Sequence, residues 1–124
     1  MGFTSKTVYH PRHRSFVTTL LVDGCEVGHC QWALIFERNI IDMMIESIFI
    51  TENQRRKGYG SALLRTMSIY AVGRRARFVY LNETLDEGKE NLFFQRFGFK
   101  YVSDDNEMRV SAADFSPLKS NTVE

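Results

Sequence analysis

An α/β fold, with a mixed and mostly antiparallel central sheet and two main helices, is predicted by three features of the sequence. Three long β-branched and aromatic runs follow one another with only short turns between them. A glycine-rich turn then opens a stretch of helical period, and a short apolar run separates that stretch from a second one ending at Gly98. Hairpin turns make the first three strands antiparallel, whereas a crossover helix makes the strands it joins parallel neighbours.

Phe16 to Val22 and Cys25 to Phe36 are joined by Asp23-Gly24, a strong two-residue hairpin signal. Glu37-Arg38-Asn39 turns the chain into a third strand, Ile40 to Thr51, and Lys6 to His10 reads as a short strand ahead of all three. Beyond the glycine turn, Leu63, Leu64, Met67, Tyr70 and Ala71 recur at helical spacing, and Gly73 stands where a left-handed cap would end the helix. Phe78 to Leu81 is a short buried strand. A second helix runs from about Glu87, with Leu92, Phe93 and Phe97 on its apolar side and Gly98 as its stop. Phe99 to Val102 and Met108 to Val110 form a closing pair of strands. Residues 1–115 are expected to make a single domain, with 116–124 as a frayed tail.

Composition narrows the function classes. A formal charge of +1 lacks the field of a polyanion-binding protein, so nucleic acid is not the expected partner. The most apolar run, Ile40 to Ile50, is short of the ~20 residues of a membrane span and is broken by Asp42 and Glu46. No membrane partner is expected, and the N-terminus lacks the apolar core of a signal peptide, which suits a cytoplasmic protein. Cys25 and Cys30 share one extended strand, roughly 16 Å apart, too far for a disulfide. The same spacing argues against CEVGHC as a metal site, so no metal is expected.

The chemistry concentrates between Ile45 and Leu64, where a strand carrying one carboxylate runs through the glycine turn into a helix. Gly58 and Gly60 let backbone N–H groups approach a ligand, and the free donors and positive dipole of the helix N-terminus favour an anion there. Arg55, Arg56 and Lys57 add charge; a solvated basic rim would look the same. By the two-residue period Glu46 shares a face with Met44, Ile48 and Ile50. A carboxylate there is either paired, for example with Arg77, or held as a base.

Arg55-Arg56-Lys57-Gly58-Tyr59-Gly60 resembles the R/Q-x-x-G-x-G/A coenzyme A loop of the GNAT family of N-acetyltransferases. Glu46 falls where many members carry a carboxylate, and Phe93-Phe94-Gln95-Arg96-Phe97-Gly98-Phe99 resembles the family's F-Y-x-x-x-G-F segment. All three occur in the family's order across roughly residues 45 to 100. The resemblance implies a GNAT-like fold and transfer of an acetyl group from acetyl-coenzyme A, the cosubstrate, to a primary amine. It assigns the pantetheine arm to Ile48, Phe49 and Ile50. The pyrophosphate goes to Arg56, Lys57, Gly58, Tyr59, Gly60 and Ser61, Arg55 and Phe94 are also among the cosubstrate contacts, and Asn82 lies near the passage of the arm. Glu46 becomes the base that takes the amine proton, directly or through water, and a backbone N–H near Phe49 the oxyanion donor.

Two departures accompany the resemblance. Phe94 occupies the place of the tyrosine that protonates the leaving thiolate, with Tyr80 and Tyr101 as alternative donors. The helices that family members carry between their first two strands have no counterpart before Phe16, so the N-terminal part is shortened. The acceptor groove is then either open, which suits a protein lysine or N-terminus, or completed by a second subunit in a homodimer. A domain that binds acyl-coenzyme A or a partner protein without turnover is the alternative. An unrelated nucleotide-binding domain is disfavoured, since no Gly-Lys-Ser/Thr loop or paired Asp accompanies the turn.

Overall fold

In a computed structural model of the chain, the residues described are 3–55, 57–81, 90–102 and 107–115. The first four strands, β1 (Phe3–His10), β2 (Ser15–Val22), β3 (Cys25–Glu37) and β4 (Ile40–Ile50), form an antiparallel meander. A 3-10 turn over Glu52–Gln54 precedes α1 (Tyr59–Gly73), which crosses to β5 (Phe78–Leu81), and β5 pairs parallel with β4. After α2 (Glu90–Gln95) come β6 (Lys100–Tyr101) and β7 (Met108–Ser111), which complete one seven-stranded sheet in the order β1-β2-β3-β4-β5-β7-β6. The mixed sheet with two helices is the architecture expected from the sequence.

Local chemistry explains most boundaries. Asp23 and Gly24 both take positive φ, at 52° and 83°, as a two-residue hairpin turn with the sheet's twist requires. β1 begins three residues earlier than its sequence pattern suggests, because all eight residues pair with β2 from Phe3↔Val22 to His10↔Ser15. The helix stop differs from expectation. Gly73 remains inside α1, and Arg75 takes the left-handed conformation at φ 59°. The Ala76 N–H donates to the Ala71 carbonyl at 2.9 Å, closing the helix end two residues later and drawing Ala76 into the core.

Both helices pack on one face of the sheet. Trp32 is fully buried there, stacked on Phe16 with ring centroids 4.3 Å apart and on Tyr70 of α1 at 5.2 Å. Its indole N–H donates to the Thr18 hydroxyl at 2.9 Å, satisfying the polar atom that burial would otherwise penalise. Phe93 of α2 meets Gly60 in the first turn of α1, so the helices share that face. The other face carries no helix among the described residues and leaves Val8, Ile35 and Phe49 exposed. β1 and β2 are joined by residues 11–14 alone, in turns, so the expected shortening of the N-terminal part is present in the structure.

Candidate functional site

The site begins at a break in the ladder between β3 and β4. Gln31 pairs with Ser47 and Trp32 with Ile45, so Glu46 has no cross-strand partner and forms a bulge. Its consequence is a change of face. Met43 and Ile45 are buried before the bulge, and Ile48 and Ile50 pack against the same core after it. The sharing of one face by Met44, Glu46, Ile48 and Ile50, expected from an unbroken two-residue period, is therefore corrected. Glu46 lies on the helix-free side, where the Gln31 side-chain amide donates to its Oε1 at 3.0 Å and to the Ser15 hydroxyl at 3.3 Å.

The ion pair considered for Glu46 goes elsewhere. Arg77 donates to Asp42 at 2.9 and 3.3 Å, and the Phe78 N–H donates to the same carboxylate at 3.1 Å. This staple ties the beginning of β4 to the beginning of β5, at the end of the sheet remote from the glycine turn. Among the described residues no cation pairs with Glu46.

At the other end of β4 the expected loop residues converge. Phe49 is exposed, with His29 tilted against one side of its ring at 5.5 Å and the Arg55 guanidinium 5.8 Å from its centroid. Arg55 also donates to the Ile50 carbonyl at 2.9 Å, while Lys57 donates to the Gln54 side chain at 3.3 Å. Gly58 sits at the N-cap of α1 with φ 85°, a left-handed conformation that explains glycine there, and a Cβ would meet nothing within 4 Å. Tyr59, Gly60 and Ser61 form the first turn of α1, which holds no acidic side chain, so its N-terminal donors and dipole face outward uncompensated.

Gly60 also meets α2. A Cβ would lie 3.2 Å from Cζ of Phe93, so this glycine lets α2 close on α1. Phe94, expected among the coenzyme contacts, has a ring that is 1% exposed and packs against Phe93 and Phe99 in the core. Tyr80 lies beside Met44 on the helix-free face, with its hydroxyl 3.5 Å from the Arg109 guanidinium. Arg56 and Asn82 lie outside the described residues.

Two residues join the set that sequence reasoning did not single out. A Cβ at Gly28 would fall 2.5 Å from the Phe49 carbonyl, so glycine is needed for β3 to approach β4 where the coenzyme arm is expected. A lone glycine inside a strand pattern is the available signal for such an approach. Gln31 gives no such signal, because only the cross-strand register brings it to Glu46. Cys25 is exposed and Cys30 buried, both as free thiols; burial, with Glu46 nearby as a lesser cause, pushes the Cys30 thiol far above its ordinary range. Among the described residues no three His, Cys, Asp or Glu side chains could hold a metal, and no helix is long and apolar enough to cross a membrane. A cavity of about 420 Å³ opens beside β5, β7 and the edge strand β6, with Phe78, Lys100, Tyr101 and Arg109 in its lining and no residue of the glycine turn.

Comparison with known proteins agrees with this fold. Residues 12–101 match the family model described as an acetyltransferase (GNAT) domain. No curated protein matches the sequence. Among solved structures, a mutant of the toxin AtaT bound to the C-terminus of the antitoxin AtaR and acetyl-CoA is 12% identical, with 97% of this chain and 99% of that chain covered at a TM-score of 0.70. A protein from Desulfovibrio desulfuricans assigned to the GNAT acetyltransferases is 9% identical, with 90% and 99% covered at a TM-score of 0.70. The KacTA–DNA complex gives 15% identity, 90% and 78% coverage and a TM-score of 0.68. Such likeness is one of fold.

Proposed function

The chain belongs to the GNAT acetyltransferase family, and from that premise we propose that it is an acetyl-coenzyme A-dependent N-acetyltransferase acting on a primary amine. The observation that carries this reading is the geometry at the end of β4: a bulged carboxylate, an exposed strand end and a left-handed glycine opening a helix N-terminus without a side-chain cap, all within one strand-turn-helix unit. Residues 1–115 act as its one domain. The AtaT structure contains acetyl-CoA, which supports the same cosubstrate here.

In this proposal the backbone of Ile48, Phe49 and Ile50 pairs with the pantetheine arm, and Gly28 lets β3 pair closely with that strand end. Gly58, Tyr59, Gly60 and Ser61 offer helix N-terminal donors to the pyrophosphate, and Arg55, Arg56 and Lys57 balance its charge. Arg55 must exchange its hydrogen bond to the Ile50 carbonyl for one to phosphate. Asn82 completes the cosubstrate contacts. Acetyl-coenzyme A supplies the thioester carbonyl. An amine with pKa near 10.4 is almost wholly protonated at pH 7, so Glu46 accepts its proton before attack. The acceptor reaches Glu46 across the helix-free face of the sheet.

With Phe94 buried, the thiol leaves without a tyrosine at that position. A coenzyme thiol near the ordinary cysteine value of about 8.5 leaves tolerably unaided, so turnover is slower by the ~100-fold to 10,000-fold that an acid commonly contributes. Tyr80, on the face that Glu46 occupies, is an alternative donor. The same burial of Phe94 favours a second reading, a domain that holds acyl-coenzyme A or a partner protein without turnover.

Thiol release against a panel of amines, peptides and proteins decides between them. The assay is run on Cys25→Ser protein, because the exposed Cys25 would itself consume a thiol reagent. Enzyme is expected to release thiol only with acetyl-coenzyme A and acceptor together, and Glu46→Gln to lower kcat about 100-fold. Binding without release supports the second reading, and equal rates for Glu46→Gln across pH 6 to 9 would refute its role as base. Since KacTA and AtaT–AtaR have been solved with DNA, DNA and a partner protein belong in the binding panel.

A further inference from the structure

Glu46 is an awkward place for a base. A bulge residue lacks a directly opposed neighbour, so the pleat that orients other strand side chains does not orient this one. No described cation holds it either.

What holds it is a neutral amide. Gln31 directs one N–H of its side chain to Oε1 of Glu46 at 3.0 Å and the other to the Ser15 hydroxyl at 3.3 Å. Ser15 is 1% exposed at the start of β2, which makes it a fixed post. Both donors of the amide are thereby used, and the amide plane is set by three strands at once. Oε2 of Glu46 accepts no hydrogen bond among the described residues and is left for an incoming proton.

We propose that Gln31, anchored on Ser15, is a positioning residue that aims the Glu46 carboxylate for proton acceptance; this rests on the reading of Glu46 as the base. An amide suits the task better than a cation would. It fixes one oxygen without adding the positive charge that would reduce the carboxylate's affinity for a proton.

Kinetics of thiol release test the proposal. Gln31→Leu keeps the size and removes the donor; it should lower kcat about tenfold or more, as expected for a lost hydrogen bond to a charged group, while KM for acetyl-coenzyme A stays within about twofold. Ser15→Ala should lower kcat about two- to fivefold. In a Glu46→Gln background, Gln31→Leu should change kcat by less than about twofold, because there is no base left to aim. An equal loss in both backgrounds, or a loss confined to KM, would overturn the positioning role.

A second readout does not need turnover. In the wild-type protein the two side-chain amide protons of Gln31 should give dispersed, slowly exchanging NMR signals. In Ser15→Ala with Glu46→Ala those signals should move to the positions of a solvated glutamine; signals already at those positions in the wild type would overturn the anchor. Wild-type protein that released no thiol would refute the acetyltransferase reading, and the NMR arm would then decide the anchor alone.

Discussion

Cys30 shows how burial at one residue becomes a property of the whole protein. Its thiol is fully buried and its pKa is raised, mainly by desolvation. The unfolded thiol ionises near pH 8.5 and the native one far higher, so this contribution to stability is complete below about pH 8.5 and is lost as pH rises toward the native value. Thermal melts between pH 8.5 and 10 should fall less steeply for Cys30→Ala than for wild type, from a lower starting point. A thiol reagent should modify Cys25 at once and Cys30 only on unfolding. Phe94→Tyr offers a sharper test of burial. A hydroxyl placed in that packed site without a partner costs about 1–3 kcal/mol, so the variant should melt lower and turn over no faster. Acceleration would mean that the ring can reach the cosubstrate. Glu46 was legible as a carboxylate on a largely apolar strand; its bulge was not, because register is decided by the facing strand.

Among the elements, the junction of β4, the glycine turn and α1 is the proposed cosubstrate site. Gly58→Ala would force an alanine to φ 85°, costing about 1–2 kcal/mol although the space is open. Calorimetry should show weaker binding of acetyl-coenzyme A, since the amides move with the backbone. At the far end of β4, Asp42 accepts from Arg77 twice and from the Phe78 N–H. Arg77 is half exposed, so Asp42→Ala should destabilise by only about 1–2 kcal/mol in denaturant melts, with cosubstrate affinity unchanged because the glycine turn is remote. A matching loss of affinity would show that the two ends of β4 are coupled. The strands and α1 were readable from hairpin turns and helical period. The left-handed stop at Arg75 was not, because the Ala76 to Ala71 hydrogen bond overrides the preference for Gly73.

For the whole molecule, cosubstrate binding must appear as stability. Acetyl-coenzyme A at about 100 times its Kd adds roughly 2.7 kcal/mol, and the melting temperature should rise by several degrees. ATP at the same concentration should not reproduce the full shift, because it offers no pantetheine arm for β4. An equal shift with ATP would redirect the site to nucleotides in general. Among the described residues no helix covers the second face of the sheet, in keeping with the four-residue link between β1 and β2.

By itself the sequence determined the element order, the hairpins, the strand-turn-helix unit and the carboxylate at Glu46, since these depend on local periodicity and on residues suited to particular backbone angles. Tertiary structure alone decided that Glu46 bulges toward Gln31, that Arg77 serves Asp42, that Phe94 is core and that Gly60 accommodates Phe93. Each of these is a contact between residues distant in the chain, and such contacts follow from the register of strands and the closeness of packing, which no local pattern encodes.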